Sequence, residues 1–451
     1  MDTSPVRVCG VPEYLVSRSL ALYYNSSYKE KRHRISTALT DQGRGILLSF
    51  GTFQAYWEQQ GLSSKSRSEI SWVSTICAFI LLLGGLITGP LYDHGYLRPL
   101  VVLGSFLEVF GLMMISLSTE YYQVFLSQGI CIGLGGGMLF VPSISSAAAS
   151  LEESRRPKFM ALIACGAGLV TKVGFPWAVR SIAFVILGTY LMAGGILRYK
   201  PVPSATVRRV FDPSALTDPP FLLAIISCFF AGIAYYLPLI YLPVFAKTGT
   251  SGFSDPELAY YLVPIVNAAS VFGRLAAGFA AMKTGPLETY TFGLACCVCM
   301  LLCWMAVDSG SGVIIWSVFW GLTTSVIVAL PGAMIPLLCP SLEVLGTWSG
   351  MYWACAAVGI LIGPPVGGAL VRGSRWWPLQ VFAAVCMGVA VVLLGYPIAC
   401  LRRKKRARNA MSSMGDDHAT TEVERVPSNT PAETQPEIRK TAANRSRHAS
   451  H

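Results

Sequence analysis

Few side chains could do chemistry from inside the long apolar stretches of this 451-residue sequence, and each stands out by its charge or its amide. Arg274 is the one basic residue well inside such a stretch. Burying it costs ~2.5 to 3.5 kcal/mol unless it is paired or faces a cavity, and a guanidinium can clamp a carboxylate through two parallel hydrogen bonds. The expectation is an organic-anion contact, beside a plainer alternative in which Arg274 snorkels to an interface or pins a gate. Glu108 is the one carboxylate deep in the first half. Burial disfavours its charged form, so it is a candidate to take up and release a proton, beside the plain reading of a peripheral acid. Gln54, Asn267, Tyr235 and Tyr236 could line the same space, although tyrosines in membrane helices also serve as interface anchors.

Covalent chemistry is not indicated. His33, His94, His418, His448 and His451 all fall in loops or terminal segments, and no HExxH, GxSxG or GxxxxGK pattern occurs. The 13 cysteines mostly sit inside apolar runs, as Cys296, Cys297, Cys299 and Cys303 do, where buried thiols simply pack. No enzyme activity, cofactor or metal is expected. The run Gly133-Leu-Gly-Gly-Gly137 resembles a phosphate cradle only on paper, because it lies in mid-stretch, where glycines permit close helix packing.

These residues must be positioned by elements suited to lipid. With 53% hydrophobic and 13% charged side chains, the chain cannot cover a soluble domain of its size with polar groups. Uncharged stretches near 45 to 57, 71 to 91, 99 to 117, 122 to 148, 159 to 171 and 178 to 197 form a first set of six spans. A second set lies near 220 to 243, 257 to 281, 288 to 307, 312 to 338, 345 to 370 and 377 to 399. The fold class expected is an all-α membrane protein of two six-helix bundles, residues 45 to 197 and 220 to 400, joined by a linker at 198 to 219. An N-terminal segment, 1 to 44, precedes the first bundle, and a polar stretch, 401 to 451, too poor in apolar residues to fold alone, follows the second.

The net charge of +11 would suggest nucleic acid in a soluble protein; here it flanks the spans, and no nucleic-acid partner is expected. Lys and Arg concentrate in alternate loops, which places both termini and the linker in the cytoplasm. The basic run Arg403 to Arg406 beside the last span reads as a stop-transfer flank or as a contact to anionic lipid.

Between the second and third spans the chain reads Gly89-Pro-Leu-Tyr-Asp93-His-Gly95-Tyr-Leu-Arg98. A glycine at a tight turn lets backbones approach, and an acid and a base at its two ends can clamp a cytoplasmic gate on helix termini. At Gly89, Asp93, Gly95 and Arg98 it resembles the signature loop of the major facilitator superfamily, with His94 where a second base is common. A degenerate copy, Asn267-Ala-Ala-Ser270-Val-Phe-Gly273-Arg274-Leu-Ala-Ala-Gly278, lies at the eighth span. Two related halves imply a substrate site near the midplane between them.

Further stretches are similar to the monocarboxylate transporter family, in particular its fungal branch. They are Ser49 to Gln54, Gln128 to Gly135, Arg155-Arg156, Ala164 to Gly168, Gly174 to Arg180, Tyr235 to Pro238 and Gly363 to Gly368, covering most of 46 to 400. The resemblance implies transport of a small organic solute, often a carboxylate and frequently with a proton by symport. The chain departs from the family in three places: the acidic and glycine-tryptophan signature opening span one is missing, span one holds no Lys, and Ser270 stands where an acid would precede the arginine by a turn.

Spans one and five hold only about 13 uncharged residues each, ~20 Å of helix against a ~30 Å hydrocarbon core. Both read as truncated, as in a mis-spliced gene model or a decayed paralogue. The expected protein is a carrier working by alternating access, monomeric, in the plasma membrane rather than a vacuolar or other internal membrane. The rival is a non-transporting sensor on the same fold.

Overall fold

The computed structural model describes residues 50–58, 62–94, 96–147, 175–196, 211–250, 258–340, 344–403 and 406–407. Among these the regular elements are helices, in the order α1 (Phe50–Tyr56), α2 (Arg67–Asp93), α3 (Leu97–Ile115), α4 (Tyr121–Val124), a π-helical stretch (Phe125–Cys131) and α5 (Ile132–Ala147). Then come α6 (Phe175–Ile196), α7 (Ser214–Thr217), α8 (Pro219–Thr248), α9 (Leu258–Thr284), α10 (Pro286–Trp304), α11 (Gly310–Ala329), α12 (Pro331–Leu338), α13 (Leu345–Leu370) and α14 (Trp377–Leu393). Eight helices among the described residues are long and apolar enough to cross a membrane. The described residues from Gly395 onward belong to a different unit from those up to Leu394.

Helix ends follow backbone chemistry. Pro219, Pro286 and Pro331 each stand in the first turn of a helix, where a missing N–H costs nothing. Ser309 caps α11 by accepting from the Gly312 N–H. The tenth span, expected unbroken, is interrupted at Leu330, because Pro331 restarts the helix as α12. The expected linker contains a short turn of helix, α7, whose upstream residue Asp212 accepts from the Trp348 indole N–H at 3.1 Å. The expected fifth span lies outside the described residues; of the first, the part from Phe50 onward is described.

Helix pairs meet where glycines remove the side chain. On α13, Gly359, Gly363 and Gly367 recur every fourth residue and face Phe229, Ile233 and Leu237 of α8. A Cβ on Gly359 would stand 2.2 Å from the Phe229 carbonyl oxygen, so the two backbones are in direct contact. Small residues at this spacing are how membrane helices gain dispersion contact where no hydrophobic effect drives them together. In the first half, Gly137 lies against Ile80 and Gly84 of α2, and Gly135 against Gly104 of α3, as the glycine run suggested.

The halves touch along two seams. Helix α2 packs on α13, and α1 packs on α8 and α9. One end of the α2/α13 seam carries Arg67 and is called the Arg67 end; the opposite end brings Leu86 beside Gly350.

Candidate functional site

Helix α9 gathers the basic candidate and its amide neighbour on one stripe. Asn267, Ser270 and Arg274 are spaced three and four residues apart, the helical same-face interval. The Ser270 hydroxyl donates to the Asn267 carbonyl at 2.7 Å and accepts from Arg274 Nη2 at 3.4 Å. Ser270 is a neutral partner that orients the guanidinium without neutralising it. Next to it, Gly273 is pressed on α11, its would-be Cβ 2.3 Å from the Leu322 carbonyl oxygen, which fixes the rotation of α9 at this level. Arg274 is half-buried, ten residues or ~15 Å from the end of the helix at Thr284, so it stands near mid-depth.

Helix α8 carries the tyrosine pair. Tyr236 is buried and Tyr235 half-buried, their rings edge to face with centroids 5.4 Å apart. Adjacent residues diverge by ~100° around a helix, so the two present to different surroundings.

Gln54 goes elsewhere. A Cβ on Gly51 would meet the Leu239 carbonyl oxygen of α8 at 2.2 Å and Val263 of α9 at 3.1 Å, which sets the level of α1. From that level Gln54 lies three residues towards the Arg67 end and Arg274 eleven residues away from it, a separation in depth of roughly 20 Å at ~1.5 Å per residue. No small solute bridges both in this conformation. Gln54 is instead committed to its own end: its Nε2 donates to Glu58 at 2.6 Å and to the Arg67 carbonyl at 3.3 Å. The helices that carry the candidates pack together, but only Asn267 and Arg274 share a face.

Glu108 is fully buried on α3, enclosed within the first half. The Tyr190 hydroxyl of α6 donates to its Oε2, while Oε1 has no hydrogen-bond partner and lies where Cβ atoms on Gly135 and Gly136 would crowd the side chain. Replacing Tyr190 with Phe is expected to leave both carboxyl oxygens unsatisfied and to destabilise the first half by ~1 to 3 kcal/mol, read as a lower melting temperature in detergent.

Of the loop residues, Gly89 and Asp93 fall on the last turns of α2, Arg98 in the first turn of α3, and Gly95 outside the described residues. His94 and Arg98 are exposed. Reading the sequence alone missed Tyr190, one hydroxyl in an apolar run, and it took Glu58 and Arg67 for ordinary loop charges. The structure pairs these two across a short connection, Arg67 Nε to Glu58 Oε2 at 3.4 Å. Among the described residues no cluster of His, Cys, Asp and Glu could hold a metal.

Apolar spanning helices packed through glycines within each set, with the two sets meeting along α2/α13 and α1/α8, make the architecture of a multi-pass membrane protein. The chain belongs to the Major Facilitator Superfamily, whose family model matches residues 35–317. Its members are transporters and not enzymes. A relative from Emericella nidulans, the MFS-type transporter dbaD, is 35% identical over 77% of this chain and 80% of its own. The Aspyridones efflux protein apdF of the same organism is 31% identical over 77% and 73%, and the Fujikurins efflux protein of Gibberella fujikuroi 32% over 78% of each. Among solved structures, the nucleoside transporter NupG superposes with a TM-score of 0.64 at 14% identity, covering 82% of this chain and 99% of its own. The peptide transporter POT gives 0.63 at 12% identity, over 82% and 94%. At these identities the likeness is one of fold.

Proposed function

We propose that this chain exports a small organic anion, a monocarboxylate or related metabolite, by alternating access between its two halves. The observation that carries the reading is the Asn267, Ser270 and Arg274 stripe, a guanidinium held near mid-depth on a helix that touches the opposite half through α1. Relatives named for the efflux of a particular compound support the outward direction. In this reading both termini lie in the cytoplasm, the Arg67 end faces away from it, and the protein works as a monomer in the plasma membrane. The loop from Gly89 to Arg98 serves as the cytoplasmic gate. Purified protein reconstituted into vesicles, with labelled carboxylates of increasing size inside, tests it; retention of every anion tried, in protein that is folded, rejects it.

Glu108 carries the proton in this scheme, if export runs against one. Substituting Glu108→Gln keeps a partner for the Tyr190 hydroxyl but cannot ionise. The expected result is that the response of flux to an imposed pH gradient falls to baseline while gradient-free exchange of solute continues. A mutant that still responds to the gradient removes Glu108 from the proton path.

A further inference from the structure

At the Arg67 end the two halves are joined by polar bonds that converge on one side chain. Arg67 opens α2, in the first half, and its Nη1 donates to the Gly373 carbonyl at 3.3 Å, in the turn between α13 and α14 of the second half. Its guanidinium also lies over the ring of Trp376, 5.1 Å from the centroid, a cation–π contact to the same turn. Behind it stands Glu58 at the end of α1, with a side-chain exposure of 8%, paired to Arg67 Nε and accepting from Gln54. One residue on, the Ser68 hydroxyl donates to the Pro365 carbonyl at 2.9 Å, and a Cβ on Gly368 would touch the Ser68 backbone.

The turn that receives Arg67 is itself constrained. Gly373 has φ +62°, which favours glycine, and the Arg375 N–H returns to the Arg372 carbonyl at 3.1 Å. Trp376 is 96% buried at rest, with Phe245 of α8 edge to face at 5.5 Å, and Phe245 in turn meets Trp304 at 5.3 Å. Arg67 therefore docks on a fixed aromatic platform. At the opposite end of the same seam the Leu86 side chain meets Gly350.

We propose that Arg67 is the residue that closes the Arg67 end of the carrier, with Glu58 as the group that aims it, so that opening at this end requires lifting Arg67 from Trp376 and Gly373. The proposal rests on the carrier reading for its purpose, though not for its test. Three features suit a contact that breaks and re-forms. The ion pair is single rather than bidentate, since Nη1 serves Gly373. Glu58 stands past the end of the first span, and burial raises its carboxyl above the ordinary range against the opposing pull of Gln54 and Arg67, so dehydration takes back much of what the pairing gives. Finally, each partner sits at a helix end or in a turn, so the bonds can part while the glycine seams inside each half persist.

The test is hydrogen exchange by mass spectrometry on the full chain in lipid nanodiscs, which needs no substrate. In Arg67→Gln, amides of residues 62–70 and 366–377 are expected to exchange at least tenfold faster than in the native chain, with a smaller increase in Glu58→Gln. The interior of α9 and α10 is expected to be unchanged. Lys65→Gln, which removes the exposed neighbouring pair of Lys65 with Glu69 at 3.7 Å, is expected to do nothing. Unchanged exchange in Arg67→Gln, or a rise spread evenly over the molecule, overturns the proposal. If Arg67→Gln does not fold, Arg67→Lys keeps the charge without the flat guanidinium and is expected to loosen the same two segments; no local loosening there also overturns it. A chain that loosens as expected yet moves no anion leaves the closure standing and rejects the carrier reading instead.

Discussion

Arg274→Ala is expected to lower anion flux roughly ten- to hundredfold while leaving the protein folded, the loss that follows from removing ~1.5 to 3 kcal/mol of charge-assisted hydrogen bonding to a carboxylate. Arg274 is half-buried on α9, and the Ser270 hydroxyl keeps its bond to the Asn267 carbonyl when the guanidinium is removed. Stability should change little and transport much, and that split separates a substrate contact from a structural pin. Arg274→Lys is expected to recover only part of the flux, because an ammonium is a point charge that cannot present two parallel donors to a planar carboxylate. A neutral analogue of the same solute, such as its amide, should lose the preference for arginine altogether. The measurement is counterflow in reconstituted vesicles alongside a melting curve of the same preparation. Equal flux in native and Arg274→Ala protein would return Arg274 to its plainer reading as a residue that snorkels to the interface.

The second large effect concerns stability. Gly359→Val is expected to abolish the folded protein or to lower its melting temperature in detergent by the equivalent of more than ~3 kcal/mol, beyond the usual cost of overpacking. The obstacle at Gly359 is not a side chain that can rotate away but the Phe229 carbonyl oxygen of a neighbouring helix, 2.2 Å from where a Cβ would be. Relief requires moving α8 from α13 along their whole contact, and α8 also carries the tyrosine pair and the platform on which α1 rests. Gly388→Ala on α14 is the matched control. Nothing lies within 4 Å of its would-be Cβ, and alanine is the better helix former by ~1 kcal/mol. It should be neutral or slightly stabilising. Fluorescence-detected size-exclusion chromatography after heating resolves the two, and a Gly359→Val protein as stable as the native one would mean that the α8/α13 contact is looser than drawn.

What the sequence by itself determined is what the solvent dictates. Lipid cannot hydrogen-bond a backbone, so long uncharged runs must become helices, and eight helices long and apolar enough to cross a membrane stand among the described residues. Glycines at four-residue spacing, as at Gly359 and Gly363, announce where backbones touch, since a side chain there would collide with the neighbouring helix. Arg274 stands out for the same reason: a charge inside an apolar run is costly, which is what recommends it as the proposed anion contact.

The tertiary structure alone decided which charges work together. Gln54 and Arg274 look alike in the sequence, as polar groups in membrane spans, yet packing places them roughly 20 Å apart in depth and gives Gln54 to Glu58. The partner of Glu108 lies 82 positions away at Tyr190, and Arg67 finds its carbonyl 306 positions away at Gly373. Such pairings cross helices whose relative rotation depends on many small contacts at once. Periodicity within one helix fixes which residues share a face but carries no information about the neighbour that face will meet.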